Sequence, residues 1–310
     1  MPASDQNDEF RASLPSWNLV DDCVKGSAAI KSEGTKYLPK PNADDNSAEN
    51  TTRYKDYKER ASFVNFTGHT KSGLIGLVFR KDMEVDFPAT VEYLVENANG
   101  AGLTLDQLAR DVVGEVLEAG RYGLLVDYPA AEEGLTAAEV TALNLRANIL
   151  PYKAKSIINW RTKNIGGVSV LSLVVLSEDH EAIFEDDFGS EIKEYHRVLR
   201  LIDGVYTQEL YDEGDQLLFD SVPRKRDGSV WNEIPFIFVG AENNDTGVDK
   251  APLLDIAEIN VSHYRNSADY EESSFMVGQP TPFVSGLTQS WVDSVMKGGV
   301  ILGSRSAILL

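Results

Sequence analysis

Carboxylates are the most abundant side chains in this sequence that could do chemistry. Glu185, Asp186 and Asp187 stand side by side. Adjacent carboxylates can contribute ligands to a hard divalent cation, but such a cation needs oxygens converging from several directions, which one short run does not supply. The run lies between β-rich stretches and reads as an acidic loop tip. Spacing alone also leaves open a glycosidase-like hydrolase, in which an acid and a base stand about 5–10 Å apart.

The other reactive types are sparse. His69, His180, His196 and His263 are scattered, and no pair has the spacing of a zinc site on one helix face. His196 alternates with apolar neighbours along an expected strand and reads as solvent-facing. Asp187-Phe188-Gly189 has the form of a kinase metal-binding tripeptide, but neither a catalytic loop nor a glycine-rich loop accompanies it. The stretch GAENNDTGVDK, Gly240 to Lys250, lacks phosphate-loop spacing and the closing Lys-Ser/Thr pair, and no G-x-S-x-G elbow occurs. Pro223–Gly228, PRKRDG, is the densest basic cluster; it falls where a hairpin turn is expected and reads as solvated. The sequence assigns no catalytic residue, cofactor site or metal site, and the chain is expected not to be an enzyme.

Composition narrows the classes. A hydrophobic fraction of 42% and a charged fraction of 25% belong to a folded protein large enough for one big domain or two. The longest apolar run, Gly166–Leu176, is too short for a bilayer, which takes about 20 residues. The N-terminus is polar and acidic, unlike a secretory signal. The single cysteine, Cys23, allows neither an internal disulfide nor a multi-cysteine metal site. A net charge of −20 argues against a tight grip on nucleic acid, which needs a basic face, while remaining compatible with a surface past which DNA slides.

The elements that would position any site fall into two halves, and the fold class expected is α+β. Helical spacing of Trp17, Val20 and Val24 predicts a first helix capped by Ser13 or Ser16. A Pro/Asn/Asp/Ser-rich loop is expected over 31–52, then a long helix or broken pair over 53–80, with Gly73 and Gly76 permitting close packing or a kink. Thr104 with Gln107 forms a capping box before a stripe of Leu105, Leu108, Val112, Val116 and Ala119, and Gly120 stops that helix. RYGLLVDYP predicts a strand ending at Pro129; Thr136 with Glu139 predicts another capped helix. From Tyr152 the period shortens, and Asp203-Gly204, Glu213-Gly214 and Asp227-Gly228 mark hairpin turns of an antiparallel sheet.

A last long helix is expected over Pro252–Phe275, with Pro252 in its first turn, Asp249 as cap, and a length of about 36 Å. A heptad-like seam runs Leu254, Ala257, Val261, Tyr264, Ala268, Glu271, Phe275, whereas Leu253, Ile256 and Ile259 widen the apolar surface only in the first half. Asp255, Glu258, Asp269, Glu271 and Glu272 stand against the single cation Arg265. The pattern by itself fits a surface helix lying along the sheet. It also fits a helix that packs beside copies of itself.

The run EIPFIFVGAENN…APLLDIAEINVSHYRNSADYEESSFMVGQPTPFVSG resembles tailed-bacteriophage portal proteins, where a wing strand leads through a Pro-containing loop into a stem helix and then a clip strand. YKERASFVNFTGHTKSGLIGLVFRK, GRYGLLVDYP and YKAKSIINWR resemble a portal-like phage family often labelled a domain of unknown function. The resemblance spans Trp17 to the end. It implies an N-terminal helix and polar loop over 1–52 and a wing domain over 53–250, with helices in 53–147 and a sheet in 149–240. A stem helix would span 251–276 and the start of a clip 277–310. Its implied function is a subunit of a homo-oligomeric, dodecameric ring at a capsid vertex. Double-stranded DNA is packaged and ejected through that ring.

Further implications follow for partners and residues. The partners would be sister chains, the major capsid protein, the terminase motor and a tail adaptor, with DNA passing non-specifically, no membrane and no cofactor. The protein would reside in the virion after assembly in the bacterial cytoplasm. Leu254, Ala257, Val261, Tyr264, Ala268 and Phe275 would contact neighbouring subunits, and Asp269, Glu271 and Glu272 would face the channel and repel phosphates. A complete portal carries a second stem helix, a tunnel loop and usually a crown, so more chain is expected after Leu310. The alternatives are the carboxylate-dependent hydrolase and a phage head or adaptor protein that only binds partners.

Overall fold

The computed structural model describes residues 2–129, 139, 145–183, 189–225 and 228–278. The helix expected from Thr136 (apart from Glu139), the Glu185-Asp186-Asp187 run, part of the basic PRKRDG turn and the expected clip strand lie outside these residues. Helices and antiparallel sheets share the chain, so the fold is α+β.

Five helices precede or border the sheets: α1 (Asp8–Lys25), α2 (Ser27–Ser32), α3 (Ala48–Arg60), α4 (Phe66–Val78) and α5 (Leu105–Ala119). The first starts earlier than Ser13. Asn7 accepts from the Glu9 backbone N–H, Asp8 and Glu9 complement the helix dipole, and Pro15 sits inside the helix rather than before it. The segment expected as a loop over 31–52 is partly helical, because Ser47 caps α3 by accepting from the Asn50 N–H. The expected break between α3 and α4 falls at 61–65, where Asn65 caps the second helix. α5 begins on the reciprocal Thr104–Gln107 box and ends at Gly120 in the left-handed region, φ 69°.

The strands form two sheets rather than one. β1 (Arg121–Asp127) is the centre of a three-stranded sheet between β2 (Asn148–Lys153) and β8 (Phe236–Gly240). The second is an antiparallel meander of β3 (Ile157–Ile165), β4 (Val168–Ile183), β5 (Ser190–Ile202), β6 (Val205–Tyr211) and β7 (Leu217–Ser221), in chain order. Asp203-Gly204 makes the β5–β6 turn with positive φ at both residues (49° and 79°), as the sequence predicts.

Two cores meet on α1. Phe10 and Trp17 belong to the core between the sheets, with Leu125, Tyr152, Trp160, Val174 and Phe236. Val20 and Cys23, further along the same helix, belong to a helical core with Ile30, Tyr37, Tyr57 and the last helix, α6 (Leu254–Gly278). The Trp17 indole N–H donates to the Ala119 carbonyl (2.7 Å), fixing α1 to the end of α5. The last helix begins two residues later than expected. Asp249 does not cap it; its Oδ2 accepts from the Glu242 and Asn243 N–H groups and closes the loop before it.

Candidate functional site

The long helix α6 carries the residues expected to contact neighbouring subunits and to face a channel. Its apolar residues fall on two opposite faces. On one face Leu253, Ala257, Val261, Tyr264 and Ala268, at three- and four-residue spacing, are buried in the helical core beside α1, α3 and α4. Asn260 lies among them, with Oδ1 accepting from the Thr67 N–H and hydroxyl and its amide donating to the Val64 carbonyl. A buried amide satisfied on both ends fixes the register of α6 against the start of α4.

This placement corrects most of the expected subunit contacts; Phe275 alone among them stays largely uncovered, at 46% exposed. Ala257, Tyr264 and Ala268 are fully covered and Val261 almost so, while Leu254 packs at the border of the same core. The buried stripe packs against the N-terminal helical layer of the same chain. That layer supplies Val20, Cys23, Ile30, Tyr37 and Tyr57, enough apolar surface to fill the stripe without a sister chain.

At the acidic end, two of the three residues expected to face a channel have partners within their own chain. Asp269 accepts from the Tyr57 hydroxyl (2.6 Å), and burial, with that bond second, raises the tyrosine's pKa. Glu272 pairs with Arg60 and, at 3.3 Å, with Arg53, its side chain only 13% exposed. Arg60 also stacks over the Phe275 ring, 4.4 Å from its centroid. Thus Asp269 and Glu272 tie the last turns of α6 to α3. Glu271 is half-buried beside them.

The opposite face of α6 is open. Ile259 (69% exposed), Tyr270 (70%) and Val277 (83%) share it with His263 and Asn266. The His263 ring meets Phe66 edge-on at 5.9 Å, and Phe66 is itself half exposed. Leu77 and Val78 at the end of α4 are likewise uncovered. Large exposed apolar patches are the kind of surface on which protein partners dock.

A second cluster joins the two sheets. Glu178 on β4 accepts from the Tyr152 hydroxyl of β2 (2.5 Å) and from Arg197 Nε (2.6 Å) and Nη2 (3.1 Å), and His180 Nε2 lies 3.1 Å from its other oxygen. Burial pushes the Glu178 pKa up, but the Arg197 hydrogen bond and charge outweigh it and the net shift is downward. Asp127 on β1 lies 3.9 Å from Arg197 and accepts from Gln208. A carboxylate held ionised with its oxygens occupied is a structural clamp; a general acid needs the opposite shift. His196, expected to face solvent, is buried on β5 with Nε2 3.8 Å from Glu194. Among the described residues, no three His, Cys, Asp or Glu converge to hold a metal ion.

Arg121, for which the sequence suggests no role, is 1% exposed. Its guanidinium lies between the Trp160 and Phe238 rings at 3.9 and 4.0 Å, and Nη1 donates to the Thr246 and Gly247 carbonyls. Burial lowers its pKa to about 10. The arginine therefore pins the loop before α6 to the sheets. Its place at the start of a strand directly after a helix-stopping glycine was the only signal in the sequence.

Comparison with known proteins adds one match. Residues 252–310 match the profile of a phage-associated domain of unknown function (DUF4055). The matched segment starts at the turn that leads into α6 and includes the whole helix. No curated protein matches the chain.

Proposed function

We propose that this chain is a subunit of a phage portal, a homo-oligomeric ring at a capsid vertex through which double-stranded DNA is packaged and ejected. The observation that carries the reading is the two-faced helix α6. Its inner stripe is filled by its own chain, and its outer stripe of Ile259, Tyr270 and Val277, continuing onto Phe66, is open over a helix of 25 residues. The phage-associated match over the same helix supports the class of protein. The net charge of −20 suits a body past which DNA moves without adhering. Sister chains would cover the outer stripe, and the capsid protein, packaging motor and tail adaptor would dock on the assembled ring.

The test is assembly. Light scattering and negative-stain images of the protein should show closed rings, and Ile259→Asp with Tyr270→Asp should reduce them to single chains that keep the fold. A wild-type chain that stays monomeric at tens of micromolar would end the reading.

A further inference from the structure

The five-stranded sheet ends in two unlike edges. β7 shows Leu217 (52% exposed), Leu218 (51%) and Phe219 (46%) in succession, with Asp220 beside them. Apolar residues on both faces of an edge strand, without lysine or an inward charge, leave its backbone free to pair. At the other edge, the first half of β3 is covered: the Asn7 N–H donates to the Ile158 carbonyl and the Asn159 amide to the Asp5 carbonyl. Its second half, Arg161 to Ile165, is exposed throughout. Among the described residues, no backbone hydrogen bond reaches the outer side of either stretch.

The charges on these edges are complementary. Asp220 faces Glu209 across the β6–β7 ladder, and the nearby cation Arg200 is already paired with Glu209. Arg161 and Lys163 stand exposed on β3 without a carboxylate partner among the described residues. Two β7 edges brought together would oppose Asp220 to itself, and two β3 edges would oppose their cations. Joining β7 to β3 satisfies both.

We propose that β7 of one copy adds to the free half of β3 of the next copy, making a head-to-tail contact between five-stranded sheets. Such a contact is heterologous, and it closes into a ring or runs on as a filament. Four antiparallel steps separate β3 from β7, so the two strands point the same way within one chain. Between ring neighbours related by a small rotation they therefore meet in parallel. The pairing deepens the portal reading and rests on it for closure of the ring.

Charge reversal tests it. Light scattering and negative-stain imaging would be applied to Asp220→Lys, to the double variant Arg161→Glu with Lys163→Glu, and to the three changes combined. Each half-reversal should raise the apparent dissociation constant at least about tenfold, and the combination should restore assembly. Rings indifferent to all three variants overturn the edge pairing and leave the portal reading standing. Open filaments that dissolve on half-reversal and re-form on combination support the pairing and overturn the closed ring. Monomers in the wild type overturn both.

Discussion

Tyr152 on β2 donates a 2.5 Å hydrogen bond to Glu178 on β4, and this contact joins two sheets that share no strand. Glu178 is held at the same time by Arg197, so one carboxylate ties β2 of one sheet to β4 and β5 of the other. Removing it leaves a largely buried guanidinium facing only the more distant Asp127.

Glu178→Gln should cost about 3 kcal/mol in urea unfolding at neutral pH, since breaking one side of a buried pair strands the other. The folded carboxyl has a lowered pKa, so its contribution is complete above the unfolded value and is lost as pH falls through the folded one. The wild type should therefore lose stability on acidification more steeply than the variant. Parallel acid limbs would refute the clamp.

Glu115 behaves with the opposite sign. Burial raises its pKa, with Lys153 at 3.7 Å only partly compensating. Its contribution to stability is present below the unfolded carboxyl value and is lost as pH rises through the folded one. Glu115→Gln, which keeps an acceptor for the Ala154 N–H, should be neutral to stabilising at pH 7 in thermal melts.

The two faces of α6 should separate by measurement. Tyr264→Ala, deep in the helical core, should cost about 3 kcal/mol of unfolding free energy. Ile259→Asp and Tyr270→Asp should leave the unfolding free energy of the isolated chain within about 0.5 kcal/mol, acting on assembly alone. Destabilisation by the outer pair comparable to Tyr264→Ala would mean that the outer face is already covered.

Gly120 should not tolerate a side chain. It ends α5 at φ 69°, and a Cβ there would lie 2.4 Å from the Asp249 carbonyl oxygen in the loop before α6. Gly120→Ala should destabilise by about 1–3 kcal/mol, measured by chemical denaturation. Hydrogen exchange should quicken at the start of α6, because the displaced neighbour is backbone and not a flexible side chain.

Local signals explain what was legible. The Thr104–Gln107 box, the stop at Gly120 and the Asp203-Gly204 turn each depend on residues within a few positions, and each stands where the sequence put it. Features set by more distant residues are not legible in this way. The cap of the first helix is Asn7 rather than Ser13 or Ser16, because a better cap lies further upstream than the first apolar repeat. His196 alternates with apolar neighbours, yet its side of β5 is the covered one, and which side is covered depends on what packs against the sheet.

The sequence by itself determined the α+β class, most helix limits to within a few residues, and the existence of a packing seam along α6. Periodicity encodes a face, and a face can be read without its partner. Tertiary structure decided what that seam meets. The N-terminal helices return to cover Ala257, Val261, Tyr264 and Ala268, and α3 captures Asp269 and Glu272. Those contacts join residues about 200 positions apart, a distance over which hydrophobic burial and ion pairing select partners by shape and charge, leaving no mark in local spacing.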